Sequence, residues 1–186
     1  MTLKDLIEKR RAYRSLAPVS ITKELMDDLA DCARLAPSCF NKQPWRYIFV
    51  HDPDVLKRMR AALSPGNEWV HYASLIIVVL SKNDMDCEMK DGREYYVYDV
   101  GMATGFMILR ATELGLVAHP IAGYDPAVTR QVLGIPEDMK VITLVNVGKR
   151  TEKVPPVLSE KQIELEEHRP ERLPLDRIYC ENRYSF

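Results

Sequence analysis

The sequence lacks the features that mark nucleic-acid-binding, membrane-spanning and Rossmann-type proteins. Its 26 basic and 27 acidic side chains give a formal net charge of -1. That balance argues against nucleic-acid binding driven by bulk charge. The longest apolar run, residues 75–80, is far too short to span a bilayer. No strand–turn–helix unit carries a GxGxxG turn, which disfavours a Rossmann dinucleotide-binding domain. We therefore predict no nucleic-acid partner and no membrane span.

Cysteine and histidine are also scarce, and their spacing suggests no catalytic or metal-binding set. The four histidines are scattered, and no Ser-His-Asp or Cys-His arrangement can be recognised. No CxxC pair occurs and the cysteine spacing fits no zinc site, so we predict no metal. We expect free thiols in a reducing cytosol, and hence a cytoplasmic protein without an N-terminal signal. The cysteines are Cys32, Cys39, Cys87 and Cys180.

The pattern of apolar residues predicts one α+β domain spanning residues 1–186. Helices are predicted from residue 22 to 36, 54 to 63, 94 to 114 and 126 to 133, after a short helix at the N-terminus. Strands are predicted at residues 45–51, 75–80, 117–121 and 140–147, and residues 15–20 read as a loop. Beyond residue 150 the chain becomes rich in charge and proline, so residues 151–186 are predicted to form an extended arm.

Three arginines, Arg10, Arg11 and Arg14, stand at the end of the first predicted helix. They could simply complement the negative end of the helix dipole. Alternatively they form an anion site, because guanidinium groups offer bidentate donors to phosphate. The arginines alone do not decide between these interpretations.

Residues 36–45 are the most informative segment of the sequence, because they place two prolines among several amide and hydroxyl groups. Ser38, Asn41 and Gln43 offer hydrogen-bond donors and acceptors, and Pro37 and Pro44 stiffen the backbone around them. Such a turn could satisfy its own backbone. The stiffness favours a preorganised pocket for a flat polar heterocycle.

An ordered set of motifs resembles the FMN-dependent nitroreductases. It comprises Arg-Arg-x-x-Arg at residues 10–14, Ala-Pro-Ser-x-x-Asn-x-Gln-Pro-Trp at 36–45, Pro-Ile-Ala-Gly-Tyr-Asp at 120–125 and Arg-Leu-Pro at 172–174. The resemblance implies a three-layer α/β/α fold around a central, mostly antiparallel mixed sheet. It also implies a long buried helix, and a C-terminal arm that extends onto a dimer partner with FMN at the subunit interface.

The same resemblance assigns the basic residues to one end of the cofactor. Arg10 and Arg172 would grip the FMN phosphate, and Arg11 and Ala12 would line the ribityl chain and the ring edge. Arg14 corresponds to a basic position near the pyrimidine end of the flavin. There it would stabilise negative charge on the reduced ring.

Further residues are assigned to the ring system by the same likeness. Pro37, Ser38 and Asn41 match a turn that lies against the isoalloxazine, often from the partner subunit. Gln43 would touch the flavin or support that turn. Asn67 matches an asparagine that hydrogen-bonds the ring.

The chain also departs from the family pattern at two places near the cofactor. Ile121, Ala122 and Gly123 match a segment whose backbone N–H faces flavin N5, but several members carry Glu where Ala122 stands. Pro170 stands where many members have a basic residue before the late arginine. Three residues could supply the second phosphate cation in its place: Lys149, Arg150 and Arg169.

The implied activity is that of a flavin oxidoreductase with no catalytic side chain. NADH or NADPH would reduce the bound FMN, which would then reduce a nitroaromatic, a quinone or a similar small oxidant in a ping-pong sequence. One alternative is another reductase or a dehalogenase on the same scaffold. A second is a protein that stores or senses FMN without turnover, and a weaker third is a nucleic-acid or phosphopeptide module built around the arginines.

Overall fold

The computed structural model describes residues 2–186, which form an α+β fold around a single five-stranded sheet. The six α-helices are α1 (Leu3–Lys9), α2 (Lys23–Arg34), α3 (Pro53–Met59), α4 (Tyr96–Glu113), α5 (Pro126–Leu133) and α6 (Glu160–Glu167). The five strands are β1 (Leu16–Ala17), β2 (Arg46–Val50), β3 (Leu75–Ser81), β4 (Leu116–Ile121) and β5 (Lys140–Arg150).

Short polar side chains set the starts of most helices. The Thr2 hydroxyl accepts from the N–H of Asp5, whose carboxylate in turn accepts from the N–H of Thr2, forming a capping box on α1. Asp52 and Asp125 cap α3 and α5, each followed by a proline at the first helical position. Gly134 ends α5 in the left-handed conformation with φ of 66°.

The sheet is built around the long strand β5, and every strand pair in residues 2–186 is antiparallel. β5 pairs with β3 on one edge and with β4 on the other, and β2 completes the sheet beside β3. Near its end β5 also pairs with β1, where Leu16 opposes Arg150. The prediction of a loop over residues 15–20 is therefore wrong at Leu16–Ala17, because a two-residue strand is too short to carry an alternating pattern.

The buried strand β3 separates two apolar layers, as strict alternation requires. Leu75, Ile77 and Val79 pack with α2 and α4, whereas alternate residues pack on the opposite side with residues of α3 and α5. The outcome is helix–sheet–helix layering with the sheet covered on both faces, which accounts for the unbroken apolar run in the sequence.

Two regions leave apolar surface exposed. The long helix α4 buries one face, including Val100 and Met107, but exposes Tyr98 and Phe106 on another. In the C-terminal region α6 packs back onto the chain through the buried Glu166, and most of the residues after it are exposed. None of the helices in residues 2–186 has the length and hydropathy that a bilayer crossing requires.

Candidate active site

A cavity of about 150 Å³ lies where the end of α1 meets the segment that follows α6. Four of the predicted residues line it along one wall: Arg10, Arg11, Ala12 and Arg14. The opposite wall comes from Leu165 and, after α6, from Arg169, Pro170 and Arg172. The fold thus brings Arg10 and Arg172 together across 162 positions of sequence.

Arginines dominate the electrostatics of this cavity. Among residues 2–186 none of its five guanidinium groups forms a salt bridge. Burial lowers the pKa of Arg10, and the neighbouring charges of Arg169 and Arg172 lower it further. An anion in the cavity would relieve that repulsion, and a phosphate would match the bidentate geometry of the guanidinium groups.

The structure distinguishes among the three candidates for the second phosphate cation. Arg169 lines the cavity, and its Nη2 donates to the backbone oxygens of Glu8 and Arg10, at 2.7 Å for Arg10. Arg150 instead lies over the ring of Tyr13, with 4.3 Å from its guanidinium carbon to the ring centroid. Lys149 is exposed and does not line this cavity. Position 169 is thus the one that adds charge beside Arg10 and Arg172.

The turn of residues 37–45 is tightly bent and internally hydrogen-bonded. Phe40, Asn41 and Gln43 have positive φ angles of 47°, 55° and 49°, a region that non-glycine residues seldom adopt. The Gln43 N–H donates to Ser38 Oγ at 3.0 Å, and Gln43 Nε2 donates to Asn41 Oδ1 at 3.2 Å. Gln43 therefore supports the turn, and the exposed faces of Pro37 and Asn41 remain available for contact.

Two long-range contacts fix this turn to the body of the protein. The Cys39 N–H donates to Asp99 Oδ2 of α4 at 3.0 Å, and Asp99 is buried. A disulfide joins Cys39 to Cys87, whose Cα atoms are 6.0 Å apart. The prediction of free thiols is therefore wrong for these two cysteines. The reason is that 48 residues separate them in sequence and only the fold brings them together.

A third group of predicted residues meets at the end of β4. Asn67 Nδ2 donates to the Gly123 backbone oxygen at 2.9 Å, and Trp69 Nε1 donates to Asn67 Oδ1 at 3.3 Å. A Cβ at position 123 would collide with Asn67 Nδ2, so only glycine permits this approach. Ile121 is buried, whereas Ala122 is exposed, and within residues 2–186 the N–H groups of Ala122 and Gly123 have no protein acceptor.

A buried histidine connects this group to the arginine cavity. The His119 ring stacks on Trp69 with centroids 4.6 Å apart, and its Nδ1 lies 3.0 Å from the Tyr13 carbonyl oxygen. Because a carbonyl only accepts, Nδ1 carries the proton. Burial lowers the pKa of His119 to about 4, and the charges of Arg14 and Arg10 also lower it. His119 is thus a neutral anchor beneath the arginine segment.

Glu166 is the contributor to this site that sequence reasoning missed. Its carboxylate accepts from the backbone N–H of Arg14 at 2.6 Å and of Ser15 at 3.2 Å. It stands in a charge-rich helix whose sequence is typical of a solvated surface, so neither composition nor periodicity singles it out. Only the capping-box start of α6 at Ser159 signals that a helix forms there.

FMN can be tested against these residues by size and by charge. A cavity of about 150 Å³ is smaller than a typical ligand pocket and suits a phosphate with the start of its ribityl chain. The turn of residues 37–45 does not line it, so one chain holds the predicted residues at separate places. The arginine cavity fits the phosphate end of FMN, whereas a ring contact by the exposed turn stays a prediction.

Comparisons with known proteins show which family the sequence resembles. A family model described as "Nitroreductase family" matches residues 7–68 and 64–149. A relative from Archaeoglobus fulgidus, named "Putative NADH dehydrogenase/NAD(P)H nitroreductase", is 32% identical over 147 residues, which cover 77% of this chain and 82% of that protein. Another from Haliscomenobacter hydrossis, named "Iodotyrosine deiodinase", is 27% identical and covers 77% of each chain.

A solved structure described as an oxidoreductase containing FMN has the same fold. It superposes with a TM-score of 0.83 at 26% identity, covering 97% of this chain and 91% of the other. The likeness therefore extends over the sheet, both helical layers and most of the C-terminal segment.

Proposed function

This chain belongs to the nitroreductase family and is an NAD(P)H-dependent oxidoreductase, and from that premise we propose that it uses FMN to reduce a nitroaromatic, a quinone or a similar small oxidant. The observation that carries the proposal is the convergence of Arg10, Arg169 and Arg172 on one cavity, where none of them pairs with a carboxylate of residues 2–186. Three such cations favour a dianionic group, and a flavin mononucleotide ends in one.

The chain's residues divide the work of holding this cofactor. Arg10, Arg169 and Arg172 would bind the phosphate, while Arg11 and Ala12 would line the ribityl chain. When bound, FMN supplies a two-electron carrier that takes hydride from a nicotinamide and passes it to the oxidant. No side-chain general base is needed for that chemistry.

Arg14 would place a cation at the pyrimidine end of the ring. Reduction puts negative charge on that end, and a fixed cation stabilises the charge better in a partly buried site than in water. Burial lowers the pKa of Arg14 and the carboxylate of Glu166 raises it. Arginine nevertheless stays charged at neutral pH.

Contacts to the ring would come from the turn and from the end of β4. The amides of Asn41 and Asn67, with the N–H groups of Ala122 and Gly123, would hydrogen-bond its edge. Pro37 and Ser38 would pack against its face from the partner subunit. The strained backbone around Asn41 supports this assignment, because such strain concentrates at functional sites.

Anaerobic reduction tests the proposed activity. We expect protein loaded with FMN to lose its visible flavin absorbance within seconds of adding NADH or NADPH, and to regain it on adding a quinone or a nitroaromatic. A flavin that binds but stays oxidised with both nicotinamides would contradict the enzyme and support a storage or sensing role.

Reductive dehalogenation is a second candidate, favoured by the match to the protein named iodotyrosine deiodinase. The same reduced protein should then release iodide from an iodinated phenol, which an ion-selective electrode measures. Release no faster than from free reduced FMN would eliminate this candidate and leave the first intact.

A further inference from the structure

One peptide group in the arginine segment is held at both of its edges. The peptide between Tyr13 and Arg14 presents its carbonyl oxygen to His119 Nδ1 at 3.0 Å and its N–H to Glu166 Oε1 at 2.6 Å. Glu166 Oε2 also accepts from the next N–H, that of Ser15, at 3.2 Å. This plane is therefore fixed in orientation, and with it the direction in which the Arg14 side chain leaves the backbone.

Glu166 is an unfavourable neighbour for an anion site if only its charge is considered. It is 7% exposed, and its charge acts on Arg14, which lines the cavity with the arginines assigned to the phosphate. A buried carboxylate there partly cancels the field of the arginines, and its charge offsets part of the lowering of the Arg14 pKa that burial causes. By charge alone, removing it should tighten the binding of an anionic ligand.

Its hydrogen bonds have the opposite consequence. A carboxylate that accepts two backbone N–H groups makes charge-assisted bonds, which are stronger than neutral ones. The Leu165 backbone oxygen accepts from Arg11 Nη2 at 2.8 Å, and Arg169 donates to the end of α1. The segment from 165 to 169 thus holds the arginine segment in place at several points.

We propose that Glu166 is a positioning residue for the flavin site, which fixes the Tyr13–Arg14 peptide so that Arg14 faces the cofactor. The inference rests on the proposed function, since it assigns Arg14 to the flavin ring. It predicts that orienting Arg14 strengthens FMN binding more than the negative charge of Glu166 weakens it. Removing the carboxylate should therefore weaken binding.

The test is a titration of the cofactor-free protein with FMN, followed by flavin fluorescence. Glu166→Gln keeps the size of the side chain but offers one acceptor in place of two. We expect affinity to fall by roughly 10- to 100-fold, the range set by losing a hydrogen bond to a charged group. Glu167→Gln removes the same charge from the exposed neighbour and should leave affinity within about twofold, since exposed charges are well screened.

A double-mutant cycle with Arg14→Ala separates positioning from general destabilisation. If Glu166 acts through Arg14, Glu166→Gln should cost little further affinity in the Arg14→Ala background. The reduction potential of bound flavin should shift in the same direction in both single variants. Additive losses, unchanged affinity or tighter binding in Glu166→Gln would each overturn the inference.

Two further measurements keep the test decisive. Circular dichroism melting shows whether Glu166→Gln folds; if it does not, Glu166→Asp keeps the charge but shortens the reach and should also weaken binding. Unchanged affinity in Glu166→Asp would then refute the inference. Wild-type protein that fails to bind FMN would refute the proposed function, whereas wild-type binding with equal or tighter binding by the variant refutes only the role of Glu166.

Discussion

At the scale of single residues, the buried His119 makes the stability of the protein depend on pH. His119 is neutral in the folded protein because burial lowers its pKa from 6.5 to about 4. The unfolded chain therefore takes up a proton at position 119 as the pH falls through 6.5, while the folded chain does not. The contribution of His119 to the free energy of unfolding has its full value above pH 6.5 and is lost as the pH falls towards 4.

This linkage predicts a specific loss of stability in mild acid. Each pH unit between 6.5 and 4 should cost up to about 1.4 kcal/mol, so His119 accounts for roughly 2 kcal/mol between pH 7 and pH 5. Urea unfolding at the two pH values measures it. His119→Gln should lose less stability over that interval than the wild type, and an equal loss in both proteins would contradict the assignment.

Some residues of the candidate site could be predicted from the sequence and others could not. Arg10, Arg11, Ala12, Arg14 and Arg172 could be assigned in advance to one site because their motifs stand in a recognisable order, and the fold brings them to one cavity. Glu166 could not, because its partners are backbone N–H groups 151 and 152 positions away. A sequence shows side-chain types, whereas these contacts depend on where the backbone passes.

At the scale of elements, the pattern of apolar residues predicts the longer helices and strands and misses the shortest strand. The bounds of α5 follow from Pro126 at its start and Gly134 after its end, and the buried strand β3 follows from an unbroken apolar run. β1 has two residues and exists only because β5 extends to Arg150. Most of α6 reads as solvated charge, but Ile163 packs against the apolar core and Glu166 is buried.

The disulfide between Cys39 and Cys87, which holds the turn of residues 37–45, is predicted to stabilise the fold. It closes a span of 48 residues, and such bridges typically stabilise a fold by about 2 to 4 kcal/mol. Cys87→Ser should lower the free energy of unfolding by that amount and expose residues 83–92 to proteases. Cys180→Ser serves as the control, since Cys180 is a free cysteine.

Counting thiols tests the bridge directly. Protein purified and denatured without reductant should show two reactive thiols, from Cys32 and Cys180, and four after reduction. Four thiols before reduction would contradict the bridge in the purified protein.

At the scale of the whole molecule, the exposed apolar surface calls for a partner. The C-terminal segment exposes six large apolar side chains, and α4 exposes Tyr98 and Phe106. So many large apolar side chains exposed in one short segment are typical of an interface. We propose that a second copy of the chain covers it, as the family resemblance implies. The six residues are Leu173, Leu175, Ile178, Tyr179, Tyr184 and Phe186.

Truncation after Arg172 tests this interface while keeping the arginine cavity. The full chain should sediment as a dimer at micromolar concentration, and the truncated chain should need at least tenfold higher concentration to associate. Losing several apolar side chains that the dimer would bury accounts for that change. A full chain that sediments as a monomer, or a truncated chain that dimerises equally well, would contradict the proposed role of the segment.

The central claim is that arginines from both ends of the chain bind the phosphate of a flavin. The most direct measurement compares the affinities of FMN and riboflavin for the cofactor-free protein, because the two ligands differ only in that phosphate. The account predicts that FMN binds at least about 100-fold more tightly, and that Arg172→Ala removes roughly a tenfold share of the difference. Equal affinity for the two ligands, or no binding of either, would contradict it.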